Sequence, residues 1–344
     1  MKAMVLEAPN TPFILKEVPD PVVGAGEAIA KVFACGSGLT IQHYKAGRTP
    51  AIFPRIIGHE ICAEIVEIGA GVTNLAIGDI VTSYFYMNCG TCKYCLSNHE
   101  PLCENLGGYV GRECDGGYAE YIKLPSRWFI KLPKNLDWQN KPAHIGVAMD
   151  ALATPYKVLR RARVRPGETV AVFGAGGGLG IHQVMLAKWA KARVIGIDTK
   201  NNKFESIREA GADDIVNASN TNVVEALMDL TSGKGINVSI DYVSTKITLE
   251  AATKSLGRHG RMVTLGGAGE KFNIDSKHLL ANEIDVLGSR YVTPLEITET
   301  YDLMARGDIW PIVSEIRPLE EAEVVHEMVE NGDVIGRAAL LINN

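Results

Sequence analysis

Two rhythms of apolar and polar positions divide the chain. In the first, short β-rich runs at residues 3–6, 13–18, 28–35, 61–68, 79–86 and 118–124 are separated by proline and glycine punctuation, such as Pro19, Pro21 and Gly24-Ala25-Gly26. Strands precede any strong helical period there, which predicts a mostly β domain. From 143 to 161 the spacing becomes helical, with an interruption expected near Pro155. Beyond Pro166-Gly167, strand and helix alternate: 170–173, 181–190, 193–197, 202–210, 215–216, 222–230, 237–242, 247–255, 261–265 and 284–288. That alternation predicts an α/β, doubly wound parallel sheet. Helices at 294–306 and 319–331 and a strand at 338–342 close the chain.

The stretch from Val170 to Asp198 carries the first chemistry. A buried strand runs into Gly174-Ala175-Gly176-Gly177-Gly178-Leu179-Gly180, a helix follows, and a second buried strand ends in Asp198. A helix opening on such a turn presents unpaired N–H groups and its positive dipole end, which attract a pyrophosphate. The strand, helix and terminal acid supply the context that a glycine motif needs to be read as a dinucleotide seat. The run Gly176-Gly177-Gly178 leaves two registers open for the glycines that face the phosphates. Asp198 is placed to accept hydrogen bonds from both ribose hydroxyls of NAD and to repel a 2′-phosphate. Its bland alternative is a turn or capping aspartate. Lys200 and Lys203 add positive charge nearby, so some NADP use stays open.

A length of 344 residues suggests two domains. Net charge of -5 gives no basic footprint for nucleic acid or an acidic membrane surface, and no apolar run spans a bilayer. Glu7 and Pro9 interrupt the start before a signal-peptide core forms, so the expected compartment is the cytoplasm. Four of the seven cysteines crowd into Cys89-Gly-Thr-Cys92-Lys-Tyr-Cys95 and Cys103. Thiolates at that spacing suit closed tetrahedral zinc, a structural site with no open position. A second grouping is scattered: Cys35, His59, Glu60 and Asp150. One Cys, one His and a carboxylate are plausible for an open, catalytic zinc. Read alone, Cys35 is as well explained as a buried small residue and His59 as a core histidine.

Cys35-Gly36-Ser37, Gly58-His59-Glu60, the cysteine cluster, Asp115-Gly116-Gly117-Tyr118-Ala119-Glu120 and the glycine turn occur in the order seen in zinc-dependent medium-chain alcohol dehydrogenases. The chain resembles that family over nearly its whole length. The resemblance implies a GroES-like catalytic domain at 1–152 with a zinc lobe at 85–106. It further implies a Rossmann domain at 153–290 and a return to the catalytic domain at 291–344. It implies two zinc ions per chain, one at Cys89, Cys92, Cys95 and Cys103. The other would be held by Cys35, His59 and Asp150, with Glu60 as an alternate ligand. NAD would lie on Gly174, Gly176, Gly177, Gly178, Leu179, Gly180, Asp198 and Lys203, with Arg337 at the pyrophosphate.

In such an enzyme zinc lowers the pKa of a bound alcohol, and the alkoxide expels hydride to the nicotinamide. Ser37 matches the hydroxyl that starts the proton relay. Gly38 stands where the family has an aspartate and Thr40 where it has a relay histidine, leaving His43 as a substitute. Phe85, Tyr86 and Tyr291, with Ile145, Arg48 and Thr49, are the pocket candidates, favouring secondary or aromatic alcohols over small polyols. Three functions follow: an NAD-dependent alcohol or polyol dehydrogenase; a quinone or enoyl-type reductase of the same fold with only the structural zinc; and a non-catalytic NAD-binding protein. A small-molecule substrate and a homotetramer or homodimer are expected.

Overall fold

The computed structural model describes residues 1–267 and 269–343. It forms two compact units, Met1–Ala153 with Val292–Asn344, and Thr154–Tyr291.

The second unit is built on six parallel strands in the order Asp214–Asn217, Arg193–Asp198, Thr169–Phe173, Ile236–Asp241, Leu256–Thr264, Asp285–Gly288. Chain order reverses between Thr169–Phe173 and Ile236–Asp241, and beside such a switch point the loops at the carboxyl ends of the strands leave a crevice for a ligand. Val170, Ala171, Val172 and Phe173 are all at most 1% exposed, which is why this central strand reads as an unbroken apolar run. The expected doubly wound sheet is present.

The first unit contains a larger sheet in the order Val313–Pro318, Arg337–Leu341, Glu27–Ser37, Glu60–Ile68, Ile80–Ser83, Phe129–Lys131, with Tyr121–Pro125 also paired to Glu27–Ser37. Lys2–Leu6, Phe13–Glu17 and Arg55–Ile56 make a separate three-stranded sheet. Val313–Pro318 alternates half-buried and exposed positions and carries Glu315 and Arg317, so its edge-strand pattern has no apolar signature.

The helical stretch after Lys141 is interrupted near Pro155, in the turn just before it. Helix Pro142–Val147 widens into a π-helical turn at Ala148–Leu152 and resumes as Ala153–Arg161. Pro155 lies within the resumed helix, where its missing N–H falls in the first turn. The irregularity is displaced to the turn before it. Asp150 lies in that wide turn, and such turns often re-aim functional side chains.

Candidate functional site

The glycine turn comes first because its geometry is the most local. Gly174 has φ 73°, a left-handed conformation favouring glycine. A Cβ on Gly180 would stand 2.0 Å from the Gly174 carbonyl oxygen, so the start of helix Gly180–Trp189 closes onto the strand end only because both are glycine. Gly177 N–H donates to the same carbonyl (3.0 Å). Asp198 Oδ2 accepts from Gly176 N–H (2.8 Å), and its Oδ1 accepts from the N–H groups of Thr199 (2.8 Å) and Lys200 (3.1 Å). The carboxylate at the end of the second strand is therefore clamped to the phosphate-type turn in the first crossover. Lys203 Nζ donates to Gly176 O (3.2 Å), and the residue is only 6% exposed beneath the loop.

The four cysteines of the lobe converge as their spacing predicts. All are free of disulfides, and their sulfur atoms lie within 4.8 Å of one another. The Cys92–Cys95, Cys89–Cys95 and Cys92–Cys103 sulfur separations are 3.5, 3.9 and 4.0 Å. Tetrahedral zinc with Zn–S bonds of about 2.3 Å sets its ligands about 3.8 Å apart, so the residues fit the ion. Backbone N–H groups of Thr91 (3.5 Å) and Cys92 (3.4 Å) point at Cys89 Sγ and lower its pKa to about 5, favouring the thiolate that zinc takes. Cys103→Ser is expected to abolish zinc retention by the lobe, read as metal per chain by elemental analysis after gel filtration.

The second grouping assembles differently from the expectation. His59, Glu60 and Asp150 are buried, and their ligand atoms lie within 4.8 Å of one another. Cys35 does not join them. A Cβ on Gly36 would meet Glu60 and Val147, whereas the Cys35 sulfur lies against the Cβ positions of Gly58 and Gly117, in the apolar core with Ile61 and Tyr118. Gly36 pairs with Glu60 and Cys35 with Ile61, so Cys35 faces away from the Glu60 side chain. Burial, with the Glu60 charge close by, pushes its thiol pKa well up.

Arg337, whose expected contact is a pyrophosphate, is 7% exposed and lies among these carboxylates. Its Nη2 donates to Glu60 Oε1 (2.6 Å) and to Asp150 Oδ2 (2.6 Å), and its Nε donates to Glu60 Oε2 (3.2 Å). Even so, burial raises the Glu60 pKa to about 7 against the opposing pull of Arg337. Burial lowers His59 to about 4, so the imidazole is neutral near pH 7. His59, Glu60 and Asp150 are close enough to share an ion, but the expected fourth member, Cys35, is outside the group and the Arg337 guanidinium already bridges both carboxylates.

Ser37, expected to start a proton relay, has partners within the protein. Its hydroxyl pairs with Tyr118 Oη, which bonds His326 Nε2 (2.9 Å), whose Nδ1 bonds Gln42 Oε1 (2.7 Å). Gln42 Nε2 donates to Glu330 Oε2 (2.8 Å), which is chelated by Arg48 at 2.6 Å from each terminal nitrogen. This line from interior to surface had no signal in the sequence, because Gln42, Tyr118 and the helix carrying His326 and Glu330 are far apart along the chain. His43 lies outside it and accepts from Arg48 Nε (2.8 Å). Phe85 packs on His59 with ring centroids 4.2 Å apart, so it does border the cluster. Tyr86 is 2% exposed among Tyr84, Phe85 and Tyr109 and is a core aromatic. Tyr291 ends the second unit with left-handed backbone, φ 49°.

Residues 24–134 match the alcohol dehydrogenase GroES-like domain, and residues 178–306 match the zinc-binding dehydrogenase domain. An alcohol dehydrogenase of Geobacillus stearothermophilus is 35% identical over 99% of this chain and 98% of its own. An acryloyl-coenzyme A reductase of Metallosphaera sedula is 32% identical over 99% of each. The crystal structure of an NAD-dependent alcohol dehydrogenase superposes with a TM-score of 0.89 at 26% identity, covering 100% of both chains. With the GroES-like and nucleotide-binding matches on one chain, and full-length identity above three in ten, the chain belongs to the zinc-dependent medium-chain alcohol dehydrogenase family of oxidoreductases.

Proposed function

We propose that this chain is an NAD-dependent oxidoreductase moving a hydride between the nicotinamide and the carbinol or carbonyl carbon of a small alcohol, ketone or aldehyde. The unit Thr154–Tyr291 is the dinucleotide-binding domain, and Met1–Ala153 with Val292–Asn344 is the catalytic domain. The carrying observation is the clamp between Asp198 and Gly176, which fixes an acid beside a glycine turn in the order a dinucleotide requires. On oxidation the alcohol gives its carbinol hydride to NAD and its hydroxyl proton to solvent, leaving NADH and a carbonyl. The cofactor supplies that chemistry, and the protein supplies position and a dry surface such as the Phe85 ring. Zinc at the four cysteines supplies a cross-link of the lobe. A secondary or aromatic alcohol suits the Phe85 wall better than a small polyol. The protein acts in the cytoplasm as a homo-oligomer.

A second reading is favoured by the Arg337 bridge. Without a metal to stabilise an alkoxide, the hydride goes from NADH to the β-carbon of a double bond conjugated to a carbonyl. The α-carbon then takes a proton from solvent, leaving NAD and the saturated product. Primary, secondary and aromatic alcohols with NAD, set beside conjugated enones and enoyl thioesters with NADH, separate the readings by nicotinamide absorbance. Turnover confined to the conjugated substrates removes the first.

The cofactor choice has its own test. Asp198→Gly removes the charged acceptor for the ribose hydroxyls, and such hydrogen bonds contribute about 1.5–3 kcal/mol. NAD affinity is expected to fall about 10–100-fold, with a smaller change for NADP, measured by fluorescence titration. A strong preference for NADP in the unaltered chain overturns the assignment.

A further inference from the structure

We propose that the buried cluster around His59 keeps the Arg337 guanidinium as its resident cation in place of a metal, so that zinc is bound only at the four cysteines. The meaning for catalysis rests on the hydride-transfer reading above; the metal count does not.

Three observations converge. The guanidinium reaches three carboxylate oxygens of Glu60 and Asp150 at 2.6–3.2 Å, all with side chains at most 8% exposed. A metal entering between the carboxylates has to displace a cation that already neutralises them, in surroundings where an unpaired charge is strongly disfavoured. Next, position 38 is shaped for that cation. Ala338 pairs with Ser37 across adjacent strands, which brings Arg337 beside Gly38. A Cβ there would fall 2.7 Å from Cζ and 2.8 and 2.9 Å from Nη1 and Nη2. Gly38 has φ −134° and ψ 177°, extended backbone that any residue adopts, so the reason for glycine is room and not conformation. Finally, the thiol on this strand, Cys35, is buried on the opposite face. What remains of the donor set is one imidazole and two carboxylates already committed to arginine.

The arrangement bears on the second of the two readings above: with a hydrogen-bonded guanidinium in place of a Lewis acid, the hydride acceptor is one made electrophilic by its own conjugation.

The test counts metal and needs no turnover. Protein made in zinc-supplemented medium, dialysed against excess zinc and desalted, is expected to hold about one zinc per chain, and Cys103→Ser about none. Two zinc per chain in the unaltered protein, or one retained in Cys103→Ser, overturns the proposal. The double variant Gly38→Cys/Arg337→Met puts a thiol where the guanidinium stood. It is expected to take one further equivalent of Co(II), with thiolate-to-metal charge-transfer absorption. If the folded double variant, confirmed by circular dichroism, takes no second equivalent, the guanidinium is not what keeps metal out. Because the counts are made without substrate, they stand or fall separately from activity toward alcohols.

Discussion

Replacing Arg337 by methionine is expected to lower folding stability by about 3–5 kcal/mol, the range for breaking a buried ion pair from one side. The methionine fills much of the volume, so the loss is electrostatic. Glu60 and Asp150 keep side chains 1% and 5% exposed and lose the donor that serves both. Two facing carboxylates without a counter-ion cannot both stay ionised, and their desolvation is uncompensated. Urea denaturation at pH 7 gives the number. The triple change Arg337→Met/Glu60→Gln/Asp150→Asn is expected to recover most of it, because neutral partners carry no charge to strand. An unchanged midpoint in the single variant sinks the view that arginine holds this cluster together.

The second large effect is acid lability traced to His326. The ring is fully buried, packs on Phe13 at 4.9 Å between centroids, and uses both nitrogens, toward Tyr118 and Gln42. Burial, with help from Lys45, lowers its pKa to about 3. The unfolded chain binds a proton here near pH 6.5, while the folded chain waits until about 3. Between those values the unfolded state carries more protons, so stability rises with pH and is lost on acidification. The slope from this one group is about 1.4 kcal/mol per pH unit, on the order of 5 kcal/mol over the whole window. His326→Gln keeps a donor and an acceptor but does not titrate. Its stability at pH 7 is expected to be the lower, and its decline from pH 6 to pH 4 the shallower, by urea midpoints at each pH. Parallel profiles for the two proteins rule out His326 as the sensor.

What the sequence revealed follows from how local each signal is. The lobe was legible because Cys89, Cys92 and Cys95 lie within seven residues, and a tetrahedral ion leaves such spacing few other uses. The nucleotide turn was legible for the same reason: strand, glycines, helix and acid are contiguous. The scattered cluster was half legible. His59, Glu60 and Asp150 do meet, but the face of Cys35 depends on pairing that its own neighbours do not encode. The register between Glu27–Ser37 and Glu60–Ile68 shifts twice, between Ile29 and Ala30 and between Val32 and Ala34. A one-residue shift exchanges the faces of a strand. Arg337 was read as a surface or phosphate-binding charge because its carboxylate partner Glu60 is 277 residues away. The interruption expected near Pro155 falls just before it, at Ala148–Leu152, because the sequence displays the breaker but not where the strain is relieved.

The first unit is assembled from two separated stretches of chain, and this sets an order of events during synthesis. Thr154–Tyr291 emerges whole before Val313–Pro318 or Arg337–Leu341 exists. Yet Arg337–Leu341 is an interior strand, inserted beside Glu27–Ser37. A ribosome adding about 5–20 residues per second needs roughly fifteen to fifty-five seconds to reach it from Glu60. During that interval Glu60 and Asp150 have no arginine to close on, and the edge of Glu27–Ser37 awaiting the late strand is unpaired. Such an open edge is a template for pairing with another chain. The nucleotide-binding half is thus positioned to mature first, while the half bearing the ionic cluster is the one a holding chaperone has reason to shield.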